Sequence, residues 1–408
     1  MYRDVSQLHF QDELNKLIKE LECNDINLPA IYIEKEVIKR IPEFANKHQF
    51  RHIVIVTDDN TKKVVGDELT LFLEKEGLIT QLVILTPTEH NQVIANEETL
   101  VELMLATSPE TTLLIAAGSG TIHDIVRFVG HKMDIPFISV PTAASVDGFT
   151  SKGAPLILRG KKQTIQTASP IAVFADINIL VRAPRELTAA GFGDILGKYT
   201  SLVDWEISRL IANEPYQARA AAMTRYALDT CINNIEKIAQ RDEEGIKIII
   251  QALIESGLVM LVLDYSRPAS GGEHHLSHFL EMDMLQKNQK QHLHGAKVGV
   301  TTAIIAELYK KFVTESSLED IKNGTVKKHW RTIKELILSI PEAEQLRSYL
   351  RKVGGPDSIQ ALKIEDKVVR ASLNQAHNLR DRCTGLLLIN QIKKTELPYP
   401  FNSSPLPM

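Results

Sequence analysis

Over residues 1–180, apolar side chains alternate between short β-branched runs and longer stretches in which they recur every three or four positions. The runs at 53–56, 81–85, 112–116 and 136–140 predict strands, and the stretches at 61–75, 97–106 and from Thr121 onward predict amphipathic helices. Strand and helix in alternation imply a parallel sheet covered on both faces. Ahead of them, Leu8, Phe10, Leu14, Leu17, Ile18 and Leu21 fall at mostly helical spacing, which predicts a packing helix. A β-rich run over 154–179, broken by Arg159-Gly160-Lys161-Lys162, predicts a hairpin closing this region. Beyond Pro184 the pattern is helical almost to the end. The expected fold class is therefore α/β: an N-terminal Rossmann-like parallel-sheet domain over 1–180, followed by an all-α C-terminal domain over 181–408.

Composition changes this picture little. At 408 residues, 44% hydrophobic and 24% charged, the chain is an ordinary globular protein with room for two domains. A net charge of -4 gives no electrostatic reason to expect nucleic acid or an anionic membrane as partner. No apolar run reaches the roughly 20 residues that span a bilayer, and the opening Met1-Tyr2-Arg3-Asp4 lacks the apolar core of a signal peptide. Three scattered cysteines, Cys23, Cys231 and Cys383, argue against a disulfide framework. These features predict a cytoplasmic protein.

Candidate chemistry begins at the carboxyl ends of the predicted strands, where parallel sheets bind ligands. The strand at 112–116 runs into Gly118-Ser119-Gly120-Thr121-Ile122-His123-Asp124, a glycine turn opening a helix. Glycine lets the backbone approach a phosphate, and the helix amides face it. The turn lacks the third glycine of the usual dinucleotide fingerprint, since position 123 is His, and a plain strand-to-helix turn fits the pattern equally. The strand at 53–56 ends in Asp58-Asp59-Asn60, where an acid could accept from ribose hydroxyls or a side chain could simply cap a helix. After the strand at 136–140 come Thr142, Ala143, Ala144 and Ser145, small enough for a flat ring to lie on the backbone, with Asp147 and Ser151 as polar contacts at its edge.

The second half carries a dense histidine segment. His274 and His278 are four apart and share a helix face. His292 and His294 precede Gly295 and an apolar helix, so His294 could close onto the first pair. Two imidazoles from separate elements plus a carboxylate make a common catalytic site for a divalent transition metal. Asp194, after two glycines at a predicted helix start, is the best-placed acid, although a capping role would explain it too. Lys198, one turn on, is expected to pair with it.

These residues resemble the metal-dependent polyol dehydrogenases related to glycerol dehydrogenase and dehydroquinate synthase, and among them the bacterial glycerol-1-phosphate branch. Gly118-Ser119-Gly120-Thr121-Ile122-His123-Asp124 looks like the superfamily's GGGTxxD element, with Ser119 for the middle glycine. Ser145-Val146-Asp147-Gly148-Phe149-Thr150-Ser151 resembles the branch's S-x-D-G-x-x-S. Gly193-Asp194-x-x-x-Lys198 with Asp204-Trp205 resembles its most specific signature, and His274-x-x-x-His278 and His294-Gly295 resemble its histidine elements.

The resemblance implies that Asp194, His274 and His294 bind one divalent metal, nickel or zinc, and that His278 and Asp147 act in catalysis and contact substrate, alongside Asp194. It implies that Asp58, Gly118, Ser119, Gly120, Thr121, Ile122, Thr142, Ala143, Ala144, Ser145 and Ser151 contact NAD(H) or NADP(H). His275 and His292 match no ligand position. Ala296 departs from the glutamate of many relatives, which leaves support for His294 open. The implied reaction is the reversible reduction of dihydroxyacetone phosphate to sn-glycerol 1-phosphate by metal-assisted hydride transfer. A small phosphorylated triose or polyol is the expected partner and a homodimer the expected assembly, with no nucleic acid or membrane. A glycerol dehydrogenase, a dehydroquinate-synthase-like lyase using Lys152, Lys161 and Lys162, or a non-catalytic metal or nucleotide sensor are the alternatives.

Overall fold

The computed structural model describes residues 5–23 and 26–401, with side chains from His9 onward. The N-terminal segment Met1 to Asp4 and the side chain of Leu8 lie outside the described residues. Eight strands are present among these: β1 (Ala30–Glu34), β2 (His52–Thr57), β3 (Ile79–Ile84), β4 (Leu113–Gly118), β5 (Phe137–Pro141), β6 (Gly153–Leu158), β7 (Lys161–Gln166) and β8 (Ala172–Asp176). Six form a sheet in the order β1-β8-β5-β4-β2-β3, all neighbours parallel.

Both faces of this sheet are buried, and the two-residue period of a strand decides which side chain goes where. Ile53, Ile55, Leu113 and Ile115 join one core, while Val54, Val56, Leu114 and Ala116 join the other. The chain steps outward one way from β2 to β3 and the other way from β4 through β5 to β8. The reversal between β2 and β4 opens a crevice at their carboxyl ends, where ligands bind such sheets.

One expectation, that of the hairpin, needs correction here, and two further features lie outside the sequence reading. β1 gave no sequence signal because its residues are only half-buried or exposed, so no continuous apolar run marks it. The segment 154–179 is a hairpin only in its first part: β6 and β7 pair antiparallel, through Arg159 and Gly160 at φ 52 and 72, whose left-handed backbone suits a two-residue turn. The remainder, β8, is wholly buried and returns to the parallel sheet. Finally, a helix long and apolar enough to cross a membrane does exist, Glu243–Leu263, at 21 residues. Lys247, Gln251 and Glu255 interrupt its apolar run in sequence, and Ile246, Ile249, Ile250 and Leu253 are fully buried in the fold.

From Ile177 onward the described elements are helical. The first helix, Val5–Glu20, buries Phe10, Leu14 and Leu17 in the same core as the helices Ala218–Asn233 and Glu243–Leu263. Arg219 pairs with Glu13 and Glu20 across that contact.

Candidate active site

Three helices bring the acid and the imidazoles together. Asp194 lies on Arg185–Leu196, His274 on Gly272–Gln286, and His294 opens His294–Glu315. The first and third cross at glycines: a Cβ at Gly193 would stand 2.2 Å from the Gly295 carbonyl oxygen, and one at Gly295 only 1.8 Å from that of Ala190. Two helices touching backbone to backbone leave the neighbouring Asp194 and His294 side chains within reach of one ion. Asp194 Oδ1 is 3.5 Å from His274 Nε2 and 3.8 Å from His294 Nε2, and the three ligand atoms lie within 4.8 Å of one another.

Asp194 Oδ2 accepts from the Asp147 amide at 3.0 Å, whereas Oδ1 is buried with no partner among the described residues. A buried carboxylate oxygen without a partner is costly. One carboxylate and two imidazoles converging on that oxygen fit a divalent transition ion. Burial alone would raise the Asp194 carboxyl, but the Lys198 ammonium and the two imidazoles outweigh it and hold it well below the usual carboxylate range. His274 Nδ1 faces Glu273 Oε1 at 2.8 Å, and that carboxylate is fixed by the Gly271 amide and Thr200 Oγ1. Such a carboxylate sets the tautomer and leaves Nε2 as the electron-pair donor. His294 has no such support among the described residues: its Nδ1 is buried without a partner there, and burial pushes the ring down to about 3.

Lys198 corrects an expectation. Its Nζ donates to Asp147 Oδ2 at 2.5 Å and to the Asp194 backbone carbonyl at 3.0 Å, rather than to the Asp194 carboxylate. Ser256 Oγ donates to the same Asp147 oxygen at 2.9 Å. Asp204, from the Asp-Trp signature, is a tie between elements. Its carboxylate accepts from the amides of Gly272 and Gly385 and from Tyr309 on the His294 helix.

A cavity of about 320 Å³ lies between the sheet and these helices, and Asp147, Asp194, His274, His278 and His294 all line it. Ser119, Gly120, Thr121, Ser145 and Ser151 also line it. Gly118, Ile122, Thr142, Ala143 and Ala144 are buried and are not among its lining residues. The helix Gly120–Met133 opens on the cavity with no acid in its first turn and no side-chain cap from Ser119. Its free amides and the bare Gly120 fit a diphosphate. His123, where a third glycine was missing, fixes the turn by bonding the Ser119 carbonyl at 2.8 Å and Ser139 Oγ at 2.7 Å.

Asp58 does not line this cavity. It caps the short helix Asp59–Thr61, with Oδ1 accepting from the Asn60 and Thr61 amides and Thr61 Oγ1. His292 bonds the Leu362 carbonyl, and His275 is fully buried outside the cavity lining. Sequence reasoning missed Glu273, Glu281, Lys297 and Arg380. A signal for two of them was present: Glu281 continues the His274 and His278 helix face at the next turn, and Lys297 follows His294 by three.

Comparison with known proteins agrees with this fold. The family model for iron-containing alcohol dehydrogenase matches residues 32–184. A probable glycerol dehydrogenase from Sinorhizobium meliloti 1021 has the same fold, with a TM-score of 0.64 at 17% identity over 87% of this chain and 90% of that one. In fold, and over residues 32–184 in sequence, the chain is similar to the iron-containing alcohol dehydrogenases. A glycerol-1-phosphate dehydrogenase of Bacillus licheniformis is 46% identical over 384 residues, 93% of this chain and 94% of that protein. Its namesake in Bacillus subtilis is 44% identical over 368 residues, 90% and 92% of the two chains. The chain belongs to the glycerol-1-phosphate dehydrogenase family.

Proposed function

We propose that this chain reversibly reduces dihydroxyacetone phosphate to sn-glycerol 1-phosphate with NAD(H) or NADP(H), using one nickel or zinc ion held by Asp194, His274 and His294. The observation that carries this reading is the partnerless Asp194 Oδ1 facing two imidazoles beside a helix N-terminus suited to a diphosphate. The relatives' name supplies the substrate. When bound, the ion and the nicotinamide supply carbonyl polarisation and hydride.

The chain's own groups bind and orient. Ser119, Gly120 and Thr121 hold the cofactor diphosphate, and Ser145 and Ser151 the nicotinamide side. Glu273 fixes the His274 ring. Lys198 and Ser256 both occupy Asp147 Oδ2, which leaves Oδ1 to orient a substrate hydroxyl. His278, kept neutral by burial and by the nearby charges of Lys162 and Arg380, stands one turn beyond His274 to face the substrate and move a proton at its oxygen. Cofactor elements precede residue 180 and metal ligands follow it, and we place the domain division there.

A cytoplasmic location is supported by three free cysteines. A homodimer is supported by β3, an edge strand with exposed Ile79 and Ile84. Cofactor oxidation with dihydroxyacetone phosphate and with dihydroxyacetone, paired with metal analysis of protein purified without chelator, tests the whole reading. Equal or better efficiency on the unphosphorylated ketone would overturn it in favour of a glycerol dehydrogenase.

A further inference from the structure

We propose that Lys162, Lys297 and Arg380, arranged with Glu281 at one end of the cavity, form the subsite that grips the substrate's phosphate. This rests on the reading of the substrate as a phosphorylated triose. Glu281 lies seven residues beyond His274 and three beyond His278 on one helix, so all three share a face. Its carboxylate accepts from Lys162 Nζ at 2.9 and 2.8 Å and from Lys297 Nζ at 3.1 Å. Lys297 lies three residues past His294 on the other ligand helix. Each imidazole helix therefore carries one member of the cluster a turn beyond its last histidine.

Lys162 comes from the opposite side of the cleft. It lies on β7, the hairpin strand that leaves the sheet half, and its amide reaches Met282 Sδ at 3.2 Å. Arg380 donates to Thr164 Oγ1 of the same strand at 3.3 Å. Lys162, Glu281, Lys297, Arg380 and His278 all line the cavity.

The charge count decides what this end accepts. Two ammonium groups share the Glu281 carboxylate, with side chains only 1% and 11% exposed, and the Arg380 guanidinium lines the same cavity, while the other acid near Lys162, Asp124, is already paired with Arg127 at 3.2 Å. A strap needing only to tie the hairpin down would be complete with one lysine on Glu281. Positive charge left in excess among buried side chains is costly until an anion joins it, and a phosphate dianion matches both the charge and the forked donors of an arginine. Glu281 sets the two ammonium groups a fixed distance apart without cancelling them. The grip then sits next to His278, leaving the carbonyl end of a three-carbon substrate toward Asp194, His274 and His294.

The test uses the full-length metal-loaded protein with Lys162→Gln and Arg380→Gln. The ratio of kcat/KM for dihydroxyacetone phosphate to that for dihydroxyacetone should fall by about tenfold to hundredfold in each, the worth of one charge-assisted hydrogen bond. Phosphite added to the unphosphorylated ketone should accelerate turnover in the unaltered protein and not in the variants. Should Lys162→Gln fail to fold, the half-buried Arg380 carries the same comparison. An unaltered protein that does not prefer the phosphorylated ketone refutes the substrate reading. A protein that does prefer it, with a ratio unmoved in folded variants, refutes the subsite.

Discussion

At the scale of single residues, the proposed chemistry turns on Asp194 Oδ1, which the fold buries, keeps ionised and leaves to two imidazoles. Alanine at Asp194, His274 or His294 should remove bound metal and turnover together while leaving the fold largely intact, read by metal analysis and circular dichroism. If His274→Ala kept stoichiometric metal, the ligand set would be wrong. His275→Ala is the counterpart: removal of a fully buried ring whose nitrogens both lack partners among the described residues should cost roughly 1–3 kcal/mol of stability, with metal retained. A second buried acid has a consequence away from the site. Glu255, in the core helix with Gln251 as its donor at 2.8 Å, is raised by burial from 4.5 to about 7. The folded state binds its proton more tightly than the unfolded chain. Its contribution is therefore complete below about 4.5 and is lost as pH rises through about 7. Glu255→Gln should flatten the fall in Tm across that window, and an unchanged slope would show that Glu255 ionises normally.

At the scale of elements, the site is a crossing of helices, and its geometry was only partly legible in the sequence. The histidine spacing could be read directly, since 274 and 278 share a face on any helix. Asp194 was readable only as the best-placed acid, because what brings it to His294 is the contact of Gly193 with Gly295, 102 positions along the chain. The same limit hid the pairing of Lys162 with Glu281, 119 residues apart in sequence. Periodicity reports a residue's own element and never the element it meets. β1 was lost for a different reason, a half-buried edge strand having no apolar run to read. The crossing itself can be tested. A methyl at Gly193 would sit 2.2 Å from a backbone oxygen that cannot swing aside, so Gly193→Ala must push the helices apart. Metal affinity should fall by about tenfold or more, the scale of losses when the groups orienting a metal's ligands are disturbed. Unchanged affinity in a metal titration would mean the crossing is softer than its contacts imply.

At the scale of the whole molecule, the sheet order places the ends of β2 and β4 on either side of the point where the chain reverses direction, with Asp58 after one and the Gly120 turn after the other. The Asp58 carboxylate commits only Oδ1 to its capping bonds, so Oδ2 remains for an adenine ribose hydroxyl, while its charge would repel a 2′-phosphate. Capping and a role in cofactor choice would therefore rest on different properties of one side chain. Asp58→Asn keeps the cap, since asparagine serves there as well as aspartate, whereas Asp58→Ala loses it at a cost of about 1 kcal/mol. If the carboxylate selects the cofactor, both variants should shift the ratio of NADP to NAD efficiency upward by a similar factor, and only the alanine variant should lose stability. A ratio unmoved in Asp58→Asn would leave Asp58 as a helix cap alone and assign the selection to another residue of the crevice.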